Sequence, residues 1–390
     1  MTVNKKGAVP SSKFQVPSGS RKATSPGFRV QSRENSSKLE KGGRKGRGSE
    51  SYLELGTWNL KPLPSVSRLL CVGLPAEPEE AEALKLYEKY PPGMVILFAH
   101  NIRSGSQVRA LCRTIHDLPG NPLIVIDQEG GRVNRLKGLF GDLPGAAEYG
   151  SRPLKKIEAL AREWGACLAD LGVDADFAPV ADVGPAAAGT GLEGRTLGDT
   201  PEEVIPRARA FIRGLHLGGV YSCIKHFPGL GASTLDSHQH LPRMDLGLRR
   251  MQRHLRPFRA LKSDAPMVMV AHGVYPALDA SETPSSLSRP VISLLNRRPA
   301  YRGLIVSDDL EMGALKRYGS LARRAELALR AGCHMVIISH EWPTIPDIAR
   351  RLRRVRLDAA LARFDAWRTT PPSSWNGTDP SGRRVHEGRP

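Results

Sequence analysis

Eight short apolar runs, at 67–74, 93–99, 122–128, 173–183, 221–227, 266–272, 303–309 and 334–340, punctuate this chain. Most of the intervals between them hold a helix-like pattern, as at Glu77–Tyr90, Gln107–Leu118, Leu154–Leu171, Pro201–Leu217 and Leu321–Ala331. A run apolar at nearly every position is covered on both faces, as strands of a parallel sheet are. Strand and helix alternating eight times point to an α/β fold. A body of about 320 residues suits a single (β/α)8 barrel of the TIM type with long loops. The alternative is a doubly wound sheet. That fold more often carries a glycine-rich phosphate fingerprint after its first strand, and Val72-Gly73-Leu74-Pro75 is not one.

The polar residues favour the barrel. Asp127 ends the third run, Lys225 and His226 the fifth, His272 the sixth, and Asp308 and Asp309 the seventh. In a barrel the carboxyl ends of all strands converge on one mouth, so these scattered positions become one pocket.

Charge is spread unevenly. Residues 1–50 carry twelve Lys and Arg against three Glu, half of the chain's net +18, and few large apolar residues. This tail reads as disordered, as does 369–390, leaving 51–368 as the folded body. The five cysteines (Cys71, Cys112, Cys167, Cys223, Cys333) form no CxxC pair and read as free buried thiols of a reducing compartment. The basic N-terminus lacks the apolar stretch of a secretory signal, and no run of about 18 apolar residues spans a membrane. The expectation is a cytoplasmic protein without a membrane partner.

Several clusters carry chemistry. Asp236 and His238 lie two apart in a loop broken by glycine and proline. In extended chain their side chains leave the same face, where a carboxylate can fix the tautomer of a general acid/base histidine. Asp127 closes a buried strand and can accept hydrogen bonds from sugar hydroxyls; Arg132 and Arg135 beyond it can bind an anionic group. The plain alternative is a helix-start carboxylate with two surface arginines. Arg195 sits in Glu193–Gly198 after a Gly/Ala-rich loop and is either a substrate contact or a solvated arginine. Of Asp308 and Asp309, strand alternation lets at most one face the pocket, and the other caps the next segment. The set His226, His238, His240, His272, Asp127 and Asp308 suggests a metal centre. Barrel metallohydrolases place their HxH pair after the first strand, however, and His238-Gln239-His240 comes after the fifth, so no metal and no cofactor is expected.

Six segments carry a family resemblance: Ile126–Arg135, Phe177–Val183, Glu193–Gly198, Lys225–His238, Ala271-His272 and Ser307–Leu315. They resemble glycoside hydrolase family 3, in particular its bacterial β-N-acetylhexosaminidases of peptidoglycan recycling, over roughly 70–368. The resemblance implies a single-domain barrel and a retaining mechanism without metal. It makes Asp308 the nucleophile, His238 the general acid/base and Asp236 its orienting partner. Asp127, Arg135, Arg195, Lys225 and His226 then bind the N-acetylglucosamine unit. The expected substrate is a muropeptide carbohydrate and the expected state a monomer, with nucleic acid reached, if at all, only through the basic tail. Leu230, Leu197 and His334 depart from the usual histidine, phenylalanine and aspartate of the family pattern. None of them removes a proposed catalytic group. The alternatives are a phosphorylase or β-glucosidase of the same family, and a barrel that binds sugar or polyanion without catalysis.

Overall fold

The computed structural model describes residues 66–375, apart from 186–188, 234, 236–239 and 298. The tail at 1–50 and the Asp236–His238 pair lie outside the described residues. The eight apolar runs become β1 Leu70–Gly73, β2 Met94–Leu97, β3 Leu123–Ile126, β4 Ala175–Asp176, β5 Tyr221–Phe227, β6 Met267–Val270, β7 Leu304–Asp309 and β8 Met335–Ile338. Each pairs in parallel with its sequence neighbours, and β8 returns to β1, closing the barrel. Helices surround it, and the five expected ones appear at Glu80–Lys89, Gly105–His116, Leu154–Leu171, Pro201–Gly218 and Leu321–Ala331. The strand interiors are fully buried, as the apolar runs require.

The run 173–183 yields a strand of only two residues. Past Asp176 it still accepts hydrogen bonds through Ala178 and Pro179 carbonyls, from the backbone N–H of Cys223 (3.0 Å) and Lys225 (3.3 Å). Pro179 has no N–H to give back, so the ladder thins where a proline enters.

Below the strands, two matching clamps close the barrel floor. Asp174, just before β4, accepts the Ile124 N–H at 2.7 Å and donates its own N–H to the Ile124 carbonyl at 2.8 Å. His334, just before β8, does the same to Ile305, accepting on Nδ1 at 3.1 Å and donating at 2.7 Å. A neutral imidazole therefore fills the acceptor role of a carboxylate.

The chain stays packed beyond 368. Tyr221 donates its hydroxyl to the Thr370 carbonyl at 2.8 Å, and His216 Nδ1 donates to the Trp375 carbonyl at 3.0 Å. No helix of the described residues is long and apolar enough to cross a membrane.

Candidate active site

Directly after β3 the chain turns through a hairpin, Gln128–Gly130 against Val133–Asn134. The hairpin lays Glu129 over the mouth two residues beyond Asp127, on the same side of the chain. Lys225, at the end of β5, reaches both carboxylates: Asp127 at 2.7 Å and Glu129 at 2.5 Å. Arg195 grips Glu129 with two parallel bonds of 2.8 Å and donates a third, also 2.8 Å, to the Gly191 carbonyl. Lys225 and Glu129 are almost wholly buried. Burial alone would push the Glu129 carboxyl up, but the charges of Lys225 and Arg195 outweigh it and hold that group well below the usual carboxylate range. For Lys225 burial would depress the ammonium, and Asp127 with Glu129 raise it instead. Glu129, Lys225 and Arg195 are thus charged at neutral pH.

Burial has the opposite result at Asp176, just below this network: it pushes that carboxyl well above the usual range. One oxygen of Asp176 accepts the Gln128 N–H at 2.9 Å.

His226 lies beside Lys225, and the structure fixes its tautomer. Asp182 accepts from both His226 Nδ1 (2.7 Å) and its backbone N–H (3.2 Å), and its other oxygen accepts the Leu230 N–H at 2.6 Å. With Nδ1 committed, Nε2 remains for a ligand. Leu230, a departure from the family pattern, is buried and lines the same cavity. Leu197 is buried as well, and its carbonyl accepts from Arg207 at 2.6 Å.

The cavity itself holds about 130 Å³ and is walled by Asp127, Glu129, Arg135, Arg195, Lys225, His226, Asp308 and Asp309, among others. The structure therefore brings together Asp308 and all five of the expected sugar-binding residues. The Arg135 guanidinium lies 5.6 Å over the Phe98 ring, and its buried Nε has no hydrogen-bond partner among the described residues. An orphaned donor at a cavity wall is a site for a ligand oxygen. Arg132 points away and pairs with Glu193 at 2.7 Å on the surface, as its plain reading had it.

One expectation fails. Asp308 and Asp309 both line the cavity, although strand alternation admits only one. Met335 pairs with Val306 but Ile337 pairs with Asp309, so three residues of β7 oppose two of β8. This bulge re-aims the strand end. Asp309 still acts as the expected cap, accepting the Glu311 N–H at 3.0 Å, while Asp308 accepts the Asp309 N–H at 2.8 Å. Burial, and then the Glu311 charge, push the Asp309 carboxyl up to about 6. His272 is fully buried behind them and donates from Nε2 to the Asp309 carbonyl at 2.8 Å.

Sequence reasoning assigned no role to Glu129, Asp182 or Glu311. The i, i+2 spacing of Asp127 and Glu129 was the available signal for the first. Among the described residues, Asp309, Glu311 and His340 each bring one metal-ligating atom within 4.8 Å of the others. Glu311 is already engaged there, accepting the backbone N–H of His340 (2.7 Å) and Glu341 (2.8 Å) and lying 3.1 Å from His340 Nδ1. The group thus shapes the turn beside Asp308.

Comparison with known proteins agrees with this geometry. A β-hexosaminidase of Alkalilimnicola ehrlichii is 38% identical over 272 residues, covering 67% of this chain and 77% of that protein. The crystal structure of a family 3 glycosyl hydrolase from Mycobacterium smegmatis superposes with a TM-score of 0.72 at 31% identity, over 78% of this chain and 97% of that one. A family 3 β-N-acetylglucosaminidase from a Paenibacillus strain gives a TM-score of 0.75 at 28% identity, over 83% of this chain and 65% of that one. Residues 65–364 match the glycosyl hydrolase family 3 N terminal domain, and the chain belongs to that family.

Proposed function

We propose that the protein is a retaining exo-β-N-acetylhexosaminidase. It removes terminal N-acetylglucosamine from β-linked muropeptide fragments in the cytoplasm, acting as a monomer and without metal or cofactor. The observation that carries this reading is the sharing of one cavity by Asp308 and the Asp127–Lys225–Glu129–Arg195 network. The names of the relatives support the sugar.

Asp308 attacks the anomeric carbon and forms a glycosyl ester as the bond to the leaving oxygen breaks. His238, oriented by Asp236, gives that oxygen its proton. The same histidine then takes a proton from water, which attacks the anomeric carbon and frees Asp308. Asp127 and His226 Nε2 accept from ring hydroxyls, Lys225 and Arg195 donate to hydroxyl oxygens, and Arg135 offers its free Nε. These fixed charges need no reorganisation as the transition state forms.

Hydrolysis is favoured over phosphorolysis by the charge balance. Lys225 and Arg195 are matched by Asp127 and Glu129, and Asp308 and Asp309 add further carboxyls. An incoming phosphate therefore meets no surplus positive charge. A β-glucosidase of the family is disfavoured by the names of the relatives.

The test is cleavage of an aryl N-acetyl-β-glucosaminide. Asp308→Ala should lower kcat by at least about a thousandfold while the protein stays folded. Equal activity in wild type and variant would sink the assignment. A slow fluorinated N-acetylglucosaminide should leave its sugar on the peptide containing Asp308. The rate should be the same with and without phosphate.

A further inference from the structure

The end of the barrel away from the cavity carries unanswered positive charge. The helix Leu248–Leu261 closes there with Arg259 and Lys262, shortly before β6. Lys262 donates to the backbone carbonyls of Arg297 (3.0 Å) and Pro299 (2.5 Å), in the loop that leads into β7. Arg363, on the helix Asp358–Arg368, donates to the Arg302 carbonyl of the same loop at 2.9 Å. Three separate segments thus bring Arg259, Lys262, Arg297, Arg302 and Arg363 to one area of the barrel floor. Arg259, Arg297 and Arg302 are exposed, and Lys262 and Arg363 half-buried.

Among the described residues none of the five forms an ion pair with a carboxylate. Two acids that neighbour them in the chain are already answered, Asp264 by Arg209 at 3.2 Å and Asp365 by Arg68. The cations act on one another instead. Burial, and then the Arg297 charge, hold Arg259 below the ordinary guanidinium value. Burial, and then the Arg259 charge, hold Lys262 below the ordinary ammonium value. One cation at a helix end answers the helix dipole. Cations gathered from a second loop and a third segment repel one another, and a bound anion relieves that repulsion.

We propose that this floor docks the phosphate backbone of duplex nucleic acid, without reading its sequence. The inference is independent of the hydrolase reading. Guanidinium groups match phosphate oxygens two at a time, and four of the five cations are arginines. The neighbouring rings of Tyr301, Phe364 and Trp367 are buried, so they offer nothing to stack on an unpaired base or to anchor in a lipid interface. The described chain also begins at this end: Arg68, two residues after Val66, pairs with Asp365 on the helix that carries Arg363. The segment 1–50, which holds half of the net charge, lies upstream of that point in the sequence. Catalysis and docking do not compete, because the cavity opens at the carboxyl ends of the strands.

The experiment follows the fluorescence anisotropy of a labelled duplex of about 20 base pairs and mixed sequence, titrated with the full chain between about 50 and 200 mM salt. Wild type should bind, and more weakly as salt rises. Arg259→Gln/Lys262→Gln/Arg297→Gln should lower affinity at least about tenfold and reduce the salt slope by about 2–3, as the loss of three phosphate contacts requires. Lys85→Gln/Lys155→Gln/Lys156→Gln removes the same charge elsewhere and should stay within about twofold of wild type. Circular dichroism reports whether each variant is folded. If the first triple variant is not, Arg297→Glu takes its place, since the Arg297 guanidinium makes no hydrogen bond among the described residues, and it should weaken binding in the same direction. Equal affinity in wild type and the floor variants would overturn the inference. So would tighter binding to phosphatidylglycerol vesicles than to the duplex, lost with the same substitutions, which would make the partner a lipid surface.

Discussion

Glu129 holds two cations at once, and the cavity depends on it. It lies between Lys225 and Arg195 with almost no contact with water, so neither cation is left to bury its charge alone. Such a pairing adds little net stability over an apolar core, yet losing one member is severe because a buried charge is then uncompensated. Lys225→Met should therefore lower unfolding free energy by about 3–5 kcal/mol in denaturant titration, alongside a loss of sugar hydrolysis. Asp127, Lys225 and Asp308 were legible in the sequence because each ends an apolar run. Glu129 was not, since its role comes from partners on two distant segments. Nor does the residue pattern show that Asp182 fixes His226.

The hairpin after β3 is the element that delivers Glu129. Gly130 turns it with φ of 77°, and a Cβ there would come within 2.1 Å of the Pro144 carbonyl oxygen and 2.8 Å of the Trp164 ring. Gly130→Ala should cost at least about 2 kcal/mol and lower kcat/KM on the aryl sugar, measured together by thermal unfolding and initial rates. Strands are legible as continuous apolar runs and helices by their period, and all eight staves fall inside the expected runs. Period does not carry hydrogen-bond register. The bulge that turns both Asp308 and Asp309 into the cavity is a mismatch between β7 and β8. It is a property of the pair, invisible in either strand's residues. The two-residue β4 likewise reflects Pro179, which accepts from Lys225 but has no N–H to donate.

At the scale of the molecule, acid should open the barrel from its floor. His334 and His216 are both pushed down by burial to about 4, from an ordinary value of 6.5, and both are needed neutral. His334 accepts the Ile305 N–H, and His216 Nε2 meets the Ser222 hydroxyl at 3.0 Å. The unfolded chain binds protons on these histidines at a higher pH than the folded one. Their contribution is thus complete above about pH 6.5 and is lost as pH falls from there toward 4. Unfolding midpoints should drop by several degrees across that window, and His334→Asp should flatten its upper part, because a carboxylate keeps the clamp that Asp174 makes on Ile124. An identical profile in His334→Asp would count against the clamp.

The matched charges of the cavity floor also govern how the sugar enters. Two cations and two anions cancel within a few ångströms, so an uncharged glycoside displaces no counterions when it settles there. Ions in the surrounding solvent have nothing to screen at that step. The sugar is held by the direction of fixed dipoles rather than by attraction from afar, so capture of an uncharged aryl glycoside should change little between dilute and saline buffer.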